Sequence, residues 1–152
     1  MKSKNYRGQQ GNQKKEDSPI SVKNYMTTKL ITFKRKQSVI EVMQTLVDNR
    51  ISGAPVVNKN NELLGLISEG DCMKQISESR YYNIPMAGAT VEKFMVTDVE
   101  TITDDLSIFD VATKFYKSHR KRFPVVKDGK LIGQISRRDV LKAALEIEAN
   151  HW

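Results

Sequence analysis

Residues 65–71 read GLISEGD and residues 133–139 read GQISRRD. The shared pattern is Gly-x-Ile-Ser-x-x-Asp, each time with the look of a strand running into a helix. In a chain of 152 residues such a recurrence makes internal duplication the first question. The first copy almost makes a phosphate loop, because Gly65 and Gly70 have the G-x-x-x-x-G spacing. Asp71, however, stands where that motif requires lysine. A carboxylate there repels phosphate but is well suited to accept hydrogen bonds from hydroxyls. The second copy carries Arg138 in place of Gly70 and keeps the aspartate as Asp139. Whatever the segment binds, it does not do so by Walker chemistry.

Working outward, a shift of 69 residues lays Val22, Met26, Thr28, Thr32, Ser38 and Val42 on Val91, Met95, Thr97, Thr101, Ser107 and Val111. It also lays Pro55-Val56-Val57 on Pro124-Val125-Val126. One residue is lost in the next turn (NKNNE against KDGK), the tolerant place for a length change, and the shift becomes 68. Leu63, Gly65, Ile67, Ser68 and Asp71 then meet Leu131, Gly133, Ile135, Ser136 and Asp139.

Each copy reads as β-α-β-β-α. A short extended piece (residues 30–33; 100–102) precedes a helix with apolar residues at helical spacing, with Ser38 and Ser107 as N-caps. APVVN and FPVVK are β-branched strands, KDG is a hairpin turn, and ELLGLIS and KLIGQIS are the return strands. A second helix follows each of them. This divides the chain into a basic tail expected to be disordered (1–19), a first repeat (20–79), a linker (80–90), a second repeat (91–147) and a C-terminal tail (148–152). A unit of this size buries too little surface alone, so two should stack sheet against sheet about a pseudo-twofold axis, with clefts between them.

Composition is that of a water-soluble globular chain: 39% hydrophobic and 28% charged residues, with no apolar run of membrane-spanning length. The N-terminal residues lack the apolar stretch of a signal peptide, and the single Cys72 excludes an internal disulfide. The expectation is a reducing cytoplasm. The net charge of +7 is unevenly spread: +8 over residues 1–36, −6 over 37–116, +7 over 117–138 and −2 thereafter. His119 and His151 have no acids at metal-ligand spacing.

At a strand-to-helix junction, the unpaired N–H groups of the first turn favour an anion. Ser68 and Ser136 can cap the helix or donate to a phosphate oxygen. Asp71 and Asp139 can grip both hydroxyls of a ribose, and Ile67 and Ile135 offer apolar walls for a base. Lys121 and Arg122, in the basic run SHRKRF, would face the anion together with Arg138. The plain competitor is that Ser-x-x-Asp at a helix start is a capping box. Basic residues at a helix end likewise need no ligand.

These residues resemble the CBS domain family, named after cystathionine β-synthase, in its tandem form, the Bateman module. The resemblance covers about residues 20–147 and rests on YMTTKLITF and FMVTDVETI, APVV and FPVV, GLISEGD and GQISRRD. It implies interdomain clefts for adenosine nucleotides (AMP, ADP or ATP) or related adenosyl ligands such as S-adenosylmethionine, as regulatory ligands and not as required cofactors. Carried over, the motif aspartates Asp71 and Asp139 hold ribose and Ser68 and Ser136 approach phosphate. Ser52 and its counterpart Lys121 line the pockets, and Thr28, Ile31, Thr97 and Glu100 come from the leading segments. Because family pockets mix both halves, Asp139 is expected to share a site with Thr28 and Ser52. Glu100, where the first copy has Ile31, departs from the pattern and makes the two clefts unequal.

The expected function is therefore a non-catalytic sensor, a homodimer joined through apolar helical faces, acting on an unidentified regulated protein. One rival is a nucleic-acid-binding accessory protein using the basic tail and patch, but its aromatics are too scattered for a stacking platform. The other is a nucleotide-processing enzyme, for which neither a carboxylate cluster for a metal nor a nucleophile with its base is visible.

Overall fold

The computed structural model describes residues 20–83 and 85–151; the expected basic tail lies outside the described residues. After a 3-10 turn at Val22–Asn24, the first repeat runs through helix α1 (Val39–Asn49), strands β1 (Gly53–Val57) and β2 (Leu63–Ser68), and helix α2 (Glu69–Tyr81). The second runs through a one-turn helix α3 (Val91–Phe94), helix α4 (Ile108–Lys117), strands β3 (Arg122–Lys127) and β4 (Lys130–Ser136), and helix α5 (Arg137–His151).

The local reasons are those the residues announce. Ser38 Oγ accepts the backbone N–H of Ile40 at 3.0 Å, and Ser107 Oγ that of Asp110 at 3.1 Å, so each serine starts its helix. Val39, Val42 and Leu46 on α1, and Ile108, Val111 and Phe115 on α4, recur at helical spacing and are buried. β1 pairs antiparallel with β2 and β3 with β4, and each ladder slips at the same place, Val56/Val57 and Val125/Val126. Asp128 and Gly129 both take positive φ (53° and 79°), as a two-residue hairpin turn requires. The extended pieces expected at 30–33 and 100–102 reduce to single parallel bridges, Phe33 to Val56 and Ile102 to Val125. Helix α5 continues through His151, across residues expected as a tail, and α2 takes the first two residues of the expected linker.

The repeats exchange their leading segments. Val22 N–H donates to Leu106 O (2.8 Å) and Ile108 N–H to Ile20 O (2.9 Å). In the equivalent exchange, Val91 N–H donates to Gln37 O (2.9 Å) and Val39 N–H to Ala89 O (2.9 Å). Further along, Thr27 and Gln134 trade two backbone hydrogen bonds, and so do Val96 and Leu66. Val22 is therefore buried in the second core with Ile108, Phe123 and Ile135, and Val91 in the first with Phe33, Val56 and Ile67. Each buried valine stabilises the opposite lobe by about 1.5–3 kcal/mol, so the lobes cannot part without exposing both.

Close approach at the exchange explains two glycines. A Cβ at Gly65 would lie 2.5 Å from Val96 O, and one at Gly133 would lie 2.6 Å from Met26 Sδ. Glu62 forms a bridge to Lys130, its own repeat counterpart, and the Arg122 guanidinium lies against Gly53, which is likewise its counterpart. Residues that meet their own equivalents mark a pseudo-twofold axis, and the two clefts open on either side of it.

A cleft between the repeats as candidate site

The β2–α2 junction places the first motif. Ser68 Oγ accepts the Asp71 N–H at 3.4 Å, while the Ser68 N–H donates to Asp71 Oδ2 at 2.8 Å and the Ser68 hydroxyl to the same oxygen at 3.0 Å. This is a complete capping box. The second motif repeats it: Ser136 N–H donates to Asp139 Oδ2 (2.9 Å) and Asp139 N–H to Ser136 Oγ (3.2 Å). Capping engages one carboxylate oxygen. Oδ1 of each aspartate remains available to accept hydroxyls, so the capping role and the binding role are compatible. The helix mouth of α2 is more occupied than expected, because Glu69 N–H already donates to Ser52 O (2.9 Å) and Asp71 N–H to Ser68 Oγ.

In front of Asp71 lies a cavity of about 380 Å³ whose walls come from both repeats. The first contributes Ser52, Leu66, Ser68, Glu69, Gly70 and Asp71; the second contributes Val96 and the run His119-Arg120-Lys121-Arg122. Arg122 crosses the axis and its Nη2 donates to Ser52 Oγ. Its guanidinium is half-buried, which pulls its pKa below the ordinary arginine value, and the nearby Glu69 carboxylate partly restores it. Glu100 is not a free acid beside this cleft, since Lys114 (3.2 Å) and Arg120 (3.4 Å) both pair with it. Arg137 pins the basic loop from outside, with Nε donating to Arg120 O at 2.9 Å.

On the other side of the axis the cleft is smaller, about 150 Å³, walled by Thr27, Lys29, Leu30, Ile31, Ile51, Gly53, Ala54, Pro55 and Gln134. Ser136, Arg138 and Asp139 stand at the head of α5, outside those walls.

Several expected positions need correction. Ile67 and Ile135 are fully buried in the two cores. Side chains alternate along a strand, so Leu66 and Ser68 face the cleft and Ile67 faces away. Ser52 belongs with Asp71 and not with Asp139. Arg138 is exposed on α5 and does not join Lys121 and Arg122; Arg120 does. Thr97 lines a separate depression with Leu64, Gly65 and Val126, while its neighbour Val96 reaches the Asp71 cleft. Thr28 is exposed, and it is Thr27 that lines the smaller cleft together with Ile31. Leu66, Val96, His119 and Arg120 also line the cleft, and the motifs do not announce them. The strand alternation could have found Leu66, and the basic run itself pointed at Arg120.

Among the described residues, no group of three or more His, Cys, Asp or Glu converges as a metal site, and no helix is long and apolar enough to cross a membrane. Cys72 is buried, and burial, then the charges of Asp71 and Glu69, raise its pKa.

Comparison with known proteins agrees with this architecture. The chain is similar to the uncharacterized protein MJ1225 of Methanocaldococcus jannaschii, 29% identical over 121 residues, covering 80% of this chain but only 41% of that protein. Among solved structures it is similar to CBSX2 of Arabidopsis thaliana in complex with AMP. There the TM-score is 0.75 and the identity 30%, with 84% of this chain and 98% of that chain covered. It is also similar to the CBS domain pair of MJ0100 in complex with 5′-methylthioadenosine and S-adenosyl-L-methionine, with TM-score 0.68 and 25% identity, covering 80% of this chain and 97% of that one. The CBS domain profile itself matches residues 22–78 and 91–146. With both lobes matched and folded as a tandem pair, the chain belongs to the CBS domain family.

Proposed function

We propose that the chain is a non-catalytic sensor that binds an adenosine nucleotide or related adenosyl ligand between its repeats. One observation carries the reading: Asp71, from the first repeat, lines one cavity with Lys121 and Arg122 from the second, and its cap engages only Oδ2. A carboxylate acceptor for ribose hydroxyls, cations for phosphate and the apolar Leu66 and Val96 for a base are the parts a nucleotide needs. The ligands of CBSX2 and MJ0100, AMP and adenosyl thioethers or sulfoniums, are of the same chemical class.

A ligand touching both lobes favours arrangements in which they are held together, and that differential affinity is the signal. The outward apolar residues Val47 and Met73 on α1 and α2, and Tyr116, Leu141 and Leu145 on α4 and α5, form the surface through which two copies associate and a regulated protein is engaged. The lone, buried thiol suits a reducing compartment.

The test is a thermal-shift panel of AMP, ADP, ATP, S-adenosylmethionine and 5′-methylthioadenosine on wild type, Asp71→Asn and Asp139→Asn. A ligand at a hundred times its Kd adds ~2.7 kcal/mol. The ligand-induced shift, not the absolute Tm, is compared, because either substitution also weakens a helix cap. Stabilisation by an adenosyl compound that Asp71→Asn diminishes supports the reading; no shift with any of them ends it.

A further inference from the structure

The walls of the Asp71 cleft go further than its family resemblance, although the step rests on the adenosyl reading just given. Arg122 carries a half-buried guanidinium with five donors, yet among the described residues its one hydrogen bond is to the neutral Ser52 hydroxyl, and it makes no ion pair. A half-buried cation that has no ion pair and feels only the more distant Glu69 charge is costly, and an anion in the cleft would relieve it. Lys121, next along the wall, also has no carboxylate within ion-pair distance among the described residues. Arg120 follows, held at 3.4 Å by Glu100, a carboxylate it shares with Lys114.

Three cations in succession thus lead outward from the axis, on a loop that Arg137 clamps through Arg120 O and Ser118 O. Against them stand Asp71, engaged in its cap, and Glu69 at the exposed rim. A single phosphate would be satisfied by Arg122 and the Gly70 N–H at the helix mouth, leaving Lys121 without an anion and Arg120 with only the carboxylate it shares with Lys114. A sulfonium would bring a positive charge toward all three. Among the described residues the smaller cleft offers no such series, and Lys29 is the one cation in its wall.

We propose that the Asp71 cleft selects a nucleoside di- or triphosphate over the monophosphate and over cationic or uncharged adenosyl compounds, with Lys121 and Arg122 reading the outer phosphates. Charge-assisted hydrogen bonds to phosphate are the strong class, so each added phosphate engaged should tighten binding severalfold.

Isothermal titration in magnesium-free buffer, on the full chain, compares AMP, ADP, ATP and S-adenosylmethionine. ATP is expected to bind about tenfold or more tightly than AMP. Lys121→Gln and Arg122→Gln should shrink that gap, Lys121→Gln by weakening ATP severalfold more than AMP, whereas Asp71→Asn should weaken all three nucleotides by a common factor. Lys121 is exposed, so Lys121→Gln carries the test even if Arg122→Gln folds poorly. AMP binding as tightly as ATP, or S-adenosylmethionine binding most tightly, while Asp71→Asn still weakens each ligand, would overturn the phosphate selection and leave the adenosyl reading intact. Absence of binding by every adenosyl compound would overturn both.

Discussion

Replacing Gly65 by alanine tests the exchange of leading segments on which the clefts depend. The new Cβ would sit 2.5 Å from the carbonyl oxygen of Val96 and 3.2 Å from Met95 Sδ. Ordinary contact needs about 3.5 Å, so the Val96 backbone must retreat by about 1 Å. That backbone is tied to the same strand by two hydrogen bonds, Leu66 N–H to Val96 O at 2.9 Å and Val96 N–H to Leu66 O at 2.8 Å, and the retreat strains both. Overpacking costs ~1–3 kcal/mol and each of the two weakened hydrogen bonds up to ~1 kcal/mol, giving about 1–5 kcal/mol in all. The loss of unfolded-chain entropy works the other way by only ~0.4–1 kcal/mol. The repeat supplies a control. At Gly133 the nearest atom is Met26 Sδ at 2.6 Å, the end of a flexible side chain, with Thr27 O farther off at 3.1 Å. Gly133→Ala should therefore cost about 1–2 kcal/mol. Urea unfolding followed by circular dichroism compares the two. A Gly65→Ala protein within 0.5 kcal/mol of wild type, or less affected than Gly133→Ala, would refute the crossed packing.

Two further predictions concern α2, whose inward face is unusually polar. Gln75 is buried with its Oε1 unpartnered among the described residues, where the second repeat has the buried Ala143. Gln75→Met, similar in volume, should stabilise the protein by about 1–2 kcal/mol in the same urea experiment, because it removes a buried acceptor that has no donor. Cys72 should react slowly with iodoacetamide in the native state and rapidly once unfolded, its rate in the folded protein reaching half-maximum above the ordinary thiol value of 9.0. The folded protein holds that proton more tightly than the unfolded chain does. The linked stability is therefore intact below pH 9.0 and declines as the pH rises through the native pKa.

What was legible came from repetition and local chemistry. Ser38, Ser107 and the Asp128-Gly129 turn act through neighbours in sequence, so their residue types sufficed to place helices and hairpins. The 69-residue shift exposed the duplication. It did not disclose that Val22 and Val91 pack in each other's lobes, because a repeat reads identically whether its first segment folds back on itself or across. The candidate site failed where geometry outranks motif. Ile67 lies inside GLISEGD, yet the alternation of side chains sends it into the core and brings Leu66 forward. The motif pattern pairs Ser52 with the far aspartate, because nothing in the sequence announces that Arg122 crosses the axis to meet it. Arg138 resembles a clamp by charge alone, but it is exposed at the head of α5, outside the walls of the Asp71 cleft.

Structure determination with ATP bound at saturating concentration measures the central claim most directly. The ribose hydroxyls should lie on Asp71 Oδ1, with the base against Leu66 and Val96 and phosphate oxygens on Arg122 and Lys121. A nucleotide seated elsewhere, such as the outer groove between α4 and α5 lined by Phe115, Tyr116 and Leu141, would contradict it.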